Sequence, residues 1–124
     1  MYWDWQNRLA RLSVGELSRF SMFAGSDPRS GRWRAELGSH WHGVLRQQAV
    51  ATGESWIFER PVSGTLRQEG WSFELSGRVD QLRPGPGRPL LREVKTISAD
   101  LPAAATELRD RYPQYLHQAM LYAF

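Results

Sequence analysis

The spacing of apolar residues changes twice along the chain, dividing it into a helical start, a β-rich middle and a helical end. Leu9, Leu12, Leu17, Phe20 and Phe23 recur at roughly helical intervals, and Ser13 stands where a cap would open a helix over 14–23. The breaker-rich run Gly25-Ser-Asp-Pro-Arg-Ser-Gly31 predicts a loop. From Trp33 to Ala51 an apolar stripe of Leu37, Trp41, Val44, Leu45 and Ala49 predicts a second helix.

The middle alternates instead. Glu54 to Arg60 is rich in β-formers and is expected to stop at Pro61, which has no N–H to give a ladder. Val62–Arg67 and Trp71–Leu82 read as a hairpin turning at Gln68-Glu-Gly70. Within it Trp71, Phe73 and Leu75 alternate with Ser72, Glu74 and Ser76, giving one dry and one wetter face. The run Arg83-Pro-Gly-Pro-Gly-Arg-Pro89 interrupts the ladder, and Leu90 to Ile97, the most apolar segment, is expected to be a central strand. Pro102 opens a helical stretch with Asp100 as its cap. Pro113 begins a last helix, and the proline pushes Tyr112 out of the helical region. The predicted fold class is α/β, a mixed β-sheet flanked by helices, in a single domain over residues 1–124. The apolar ending Tyr122-Ala-Phe124 reads as truncation within that helix, or as a helix that docks on a partner.

Composition narrows the picture. Hydrophobic residues make up 41% of the 124 and charged residues 23%, a globular balance rather than a disordered one. No apolar run approaches the ~20 residues that span a bilayer. Met-Tyr-Trp-Asp-Trp carries no signal-peptide pattern, so a cytoplasmic protein without membrane contact is expected. There is no cysteine, which excludes disulfides, thiolate zinc sites and iron–sulfur clusters. A net charge of +3 is compatible with a polyanionic partner.

Candidate chemistry centres on Asp80, Glu93 and Lys95. Glu93 and Lys95 are two apart in a strand-like run and so project together. If the two segments pair, Asp80 lies beside Glu93, and two carboxylates and an ammonium share a volume suited to a divalent metal and its water. Singly, these are ordinary strand and turn residues. As a group they place charge on one face of an apolar strand, where it needs a partner or an ion. His42 lies on the second helix with Leu45 and Ala49 and should point toward the sheet, either as a core histidine or as a ligand. His40, two residues away, cannot share its face. Gln118 and Tyr122, four apart, stack on one face of the last helix. Most of the six tryptophans are expected in the core, with Trp33 the best candidate for an exposed stacking site.

Taken in order, Gly38 to His42, Gly77-Arg-Val-Asp80, Glu93-Val-Lys95 and Gln118-Ala-Met-Leu-Tyr122 resemble the PD-(D/E)XK nuclease superfamily, in its RecB-like exonuclease branch. Leu12-Ser-Val-Gly-Glu-Leu-Ser-Arg-Phe20 is similar to the opening helix of that group. The resemblance implies a restriction-endonuclease-like sheet and a metal-dependent deoxyribonuclease, an exonuclease acting with a helicase or recombination partner. It implies that His42, Asp80, Glu93 and the Val94 carbonyl ligate a magnesium or manganese ion (Mg²⁺ or Mn²⁺). Lys95 would orient or deprotonate the attacking water, while Gln118, Tyr122 and Arg78 would contact DNA. The chain departs from the pattern at Gly43, where relatives often carry an acid, in lacking the iron–sulfur cysteines of some relatives, and in ending just after Tyr122. Those departures leave two alternatives, a DNA-binding module with an incomplete site and an interaction domain.

Overall fold

A two-residue turn sets the register of the sheet. Glu69 (φ 48°) and Gly70 (φ 79°) both adopt the left-handed region. Positive φ at both centres is the backbone of a type I′ turn, whose twist matches that of the strands it joins. It links β3 (Ile57–Gln68) to β4 (Trp71–Arg83), antiparallel from Gln68 opposite Trp71 back to Ile57 opposite Leu82. In the computed structural model, residues 1–19, 31–97 and 100–124 are described.

β4 is the centre of a five-stranded mixed sheet, and helices flank it. β3 occupies one edge of β4. On its other edge β2 (Leu9–Ser13) runs parallel beside Ser72–Ser76, and β5 (Leu90–Arg92) runs antiparallel beside Gln81–Arg83. β1 (Tyr2–Asp4) pairs antiparallel with the outer side of β2. The core gathers where β2 meets β4: Ala10, Leu12, Val14 and Val79 are buried. The helices are α1 (Val14–Arg19), α2 (Gly31–Ala51), α3 (Ala105–Arg111) and α4 (Pro113–Ala123). None among the described residues is long and apolar enough to cross a membrane.

Several expectations change. Leu9–Ser13 is a strand rather than the start of a helix, because Ala10 and Leu12 are buried at a period of two while Arg11 between them is exposed. β3 runs through Pro61 instead of stopping there, since an edge strand tolerates a missing donor. Leu90–Ile97 is neither long nor central: only Leu90–Arg92 pair, and the centre belongs to β4. α3 begins at Ala105, past Asp100, and the Glu107 carboxylate accepts from the Ala103 N–H at its entrance. Trp5 (74% exposed) and Trp41 (45%) lie at the surface rather than in the core. Phe20, Phe23, the expected loop from Gly25 and the side chain of Trp33 lie outside the described residues.

Ser13 caps α1 as its position suggested. Its hydroxyl accepts from the Glu16 N–H (3.1 Å), and Glu16 in turn accepts from the Ser13 N–H (2.8 Å). These bonds, with the N-terminal ammonium at 3.0 Å, lower the Glu16 carboxyl to about 2. Ser13→Ala should lower stability by about 1 kcal/mol, read as a lower urea midpoint at unchanged slope. Because the folded carboxyl is depressed below its ordinary 4.5, the Glu16 contribution is complete above that pH and fades as pH falls through about 2.

Candidate metal centre

Counting back from the turn, Glu59 of β3 faces Asp80 of β4, between the pairs Phe58–Gln81 and Arg60–Val79. On the opposite edge of β4 the ladder with β5 ends at the Gln81–Arg92 pair, and Glu93 follows it outside the strand. Residues directly opposite on antiparallel strands share a face, and like charges there repel. The end of β4 thus carries Asp80 beside Glu59, with Glu93 close by, beyond the end of β5. α2 brings His42 against it, with Nδ1 3.6 Å from Asp80 Oδ1 and 3.7 Å from Glu59 Oε1.

The atoms offered by His42, Glu59 and Asp80 all lie within 4.8 Å of one another. Donors about 2.1 Å from one ion sit roughly 3 Å apart when adjacent and about 4.2 Å apart when opposite. The cluster thus needs only a small contraction to enclose a hard divalent cation. Asp80 Oδ2 accepts from the Val94 N–H at 2.7 Å. Two residues past the end of β5 an amide thus serves the Asp80 side chain rather than a neighbouring strand. Glu93 Oε1 accepts from Lys95 Nζ (2.9 Å) and Gln118 Nε2 (3.0 Å). Glu93 Oε2 is buried with no hydrogen-bond partner among the described residues, on a side chain only 8% exposed. A buried carboxylate oxygen left this way is costly and calls for a cation or water.

Burial pushes the Asp80 carboxyl above its ordinary range. The Val94 N–H, His42 and Lys95 oppose that rise, and Glu59 adds to it. Burial also raises Glu93, with Lys95 opposing and the Asp80 charge reinforcing. Both groups lack enough positive charge for their degree of burial. The segment Glu93–Lys95 is reachable from two clefts. One of about 600 Å³ is bounded by Leu91, Tyr115 and Leu116, and one of about 720 Å³ by α2 residues Leu45 and Ala49.

α4 supports this arrangement. Gln118 Nε2 reaches both Glu93 Oε1 and the Tyr122 hydroxyl (3.3 Å), which also accepts from the Arg78 N–H at 3.4 Å. Tyr122 lies so close to β4 that a Cβ at Gly77 would fall 2.6 Å from its ring. The glycine three residues before Asp80 is what lets α4 bring Gln118 down onto Glu93.

The structure thus brings His42 and Asp80 together, with the Val94 N–H on Asp80, while Glu93 lies outside that cluster of ligand atoms, held by Lys95 and Gln118, with Tyr122 one bond further back behind Gln118. Arg78 is an exposed side chain whose Nη1 lies 3.7 Å from Glu59. His40 stacks edge-on against Trp41, away from the cluster. Glu59 is the member that sequence spacing did not supply. It holds φ 51°, a left-handed conformation that costs a non-glycine residue about 1–2 kcal/mol. Only the hairpin register could have pointed to it. No family model, curated protein or solved structure matches the chain.

Two outcomes follow from this geometry. Gly77→Ala should cost about 1–3 kcal/mol by overpacking, and the cost should shrink in a Tyr122→Leu background, as a denaturation double-mutant cycle would record. Because Asp80 and Glu93 are raised in the folded state, their burden is fully present above the folded values and is relieved as pH falls toward 3.8 and 4.5. Asp80→Asn should accordingly raise the melting temperature of the metal-free protein at neutral pH and flatten this pH dependence.

Proposed function

We propose that this chain is a divalent-metal-dependent deoxyribonuclease domain of the PD-(D/E)XK, RecB-like type, built on a restriction-endonuclease-like sheet. The observation that carries the reading is His42 Nδ1 3.6 Å from Asp80 Oδ1, with Glu93 and Lys95 on the segment after β5 whose Val94 N–H donates to Asp80. Glu93 Oε2 there is buried and unpartnered, and Lys95 stands on the same carboxylate. The ordered resemblance of the four motifs supplies the reaction class. The net charge of +3 agrees with DNA as partner, and a helicase or recombination protein is proposed to deliver it.

His42, Asp80, Glu93 and the Val94 carbonyl would hold Mg²⁺ or Mn²⁺. Oxygen donors suit both ions, and the imidazole favours Mn²⁺. When bound, such an ion activates water and neutralises charge building on the phosphate. Asp80 is fixed for this role by the Val94 N–H, and Glu93 by Gln118 and Lys95, so each keeps one oxygen for the ion. Lys95 Nζ sits 2.9 Å from Glu93 Oε1, where it orients the attacking water and opposes charge on the phosphate oxygens. The water oxygen would form the new P–O bond while its proton passes to solvent, and the P–O ester bond would break as the departing DNA oxygen takes up a proton from water. Arg78, exposed and near Glu59, meets the phosphate backbone.

Cleavage of end-labelled single- and double-stranded DNA with Mn²⁺ or Mg²⁺ tests the proposal. Asp80→Ala should abolish cleavage. Lys95→Ala should slow it about 10²–10⁴-fold while Mn²⁺ binding is retained. Cleavage that survives a chelator, or equal rates for Asp80→Ala and the unsubstituted chain, would overturn it. Salt-sensitive DNA affinity with no Mn²⁺ site in calorimetry would favour a binding module instead.

A further inference from the structure

We infer that Glu59 is a metal-ligating residue of this site, a further side-chain donor beside His42, Asp80 and Glu93. The inference rests on the metal-centre reading above and extends it to a residue that no motif assigns. The β3–β4 register places Glu59 opposite Asp80, and its Oε1 lies 3.7 Å from His42 Nδ1. Its ligand atom shares the 4.8 Å cluster with His42 and Asp80. His42 Nδ1 also lies 3.6 Å from Asp80 Oδ1, so one imidazole faces both acids.

Pairing with Arg78 does not account for Glu59. The two groups are 3.7 Å apart and largely exposed, so they hold each other weakly. Nor does that pairing need the left-handed backbone at φ 51° in the middle of a ladder, where glycine would sit without strain. An ion shared with Asp80 does need the carboxylate directed at this rung. Three carboxylates and one imidazole match a hard divalent cation, with Lys95 left to meet the substrate.

Calorimetric titration with Mn²⁺, followed by electron paramagnetic resonance, tests this on the whole chain. Glu59→Gln keeps the side-chain shape and should weaken Mn²⁺ binding by roughly tenfold or more, with the melting temperature of the metal-free protein held or raised. Glu59→Gly should relieve the backbone, hold or raise that melting temperature, and weaken Mn²⁺ binding as much. If Glu59→Gln binds Mn²⁺ within about twofold of the unsubstituted chain while Asp80→Ala binds none, Glu59 is only an ion-pair partner and the nuclease reading stands. If the unsubstituted chain binds no Mn²⁺, this inference and the metal centre fall together.

Discussion

Repulsion among carboxylates at the end of β4 is the constraint around which the rest of this structure is arranged. Asp80 sits on the central strand with Glu59 beside it on β3 and Glu93 close by, beyond the end of β5. Opposed like charges destabilise a sheet, and burial makes the repulsion worse because little water is left to screen it. Burial is the main cause of the upward displacement of both Asp80 and Glu93, and a neighbouring acid adds to it, Glu59 at Asp80 and Asp80 at Glu93. A fold selected for stability alone would place Thr or Val at such positions. Retaining acids there makes sense when a cation completes the set.

Every element near the rung contributes an opposing donor. The Val94 amide leaves the β5 ladder to bind Asp80. Lys95 and Gln118 share one oxygen of Glu93, and α2 turns His42 toward the other two acids. The close approach of Tyr122 to Gly77 sets how deeply α4 can settle, and so whether Gln118 reaches its carboxylate. None of these donors reaches Glu93 Oε2, which is buried without a hydrogen-bond partner among the described residues. On the proposed reading, metal binding and fold stability would be coupled: what is unfavourable in the metal-free chain would become affinity when the ion is present.

Much of this was legible in the residues themselves. The turn at Glu69-Gly70, the cap at Ser13 and the start of α4 at Pro113 are local signals, decided by backbone preference within a few residues. The expectation that the segment after Arg83–Pro89 pairs with the strand carrying Asp80 holds over Leu90–Arg92, and Glu93 lies just beyond it. The failures came where tertiary context overrode local pattern. Leu9–Ser13 has leucines at a helix-compatible spacing, yet it lies parallel to β4 because burying Ala10 and Leu12 there outweighs a weak propensity. Pro61 looked like a strand end only because nothing in its neighbourhood reveals that β3 is an edge strand.

The sequence by itself determined the chemical inventory, the hairpin that carries Asp80, and the two-residue spacing that keeps Glu93 and Lys95 together. Those depend on interactions between near neighbours, which any conformation of the chain must respect. Only the tertiary structure decided that β4 is central, that Glu93 and Val94 abandon the ladder, and that Glu59 joins His42 and Asp80. Such contacts link positions far apart in the chain, so they exist only once loop closure and burial have fixed strand order and register.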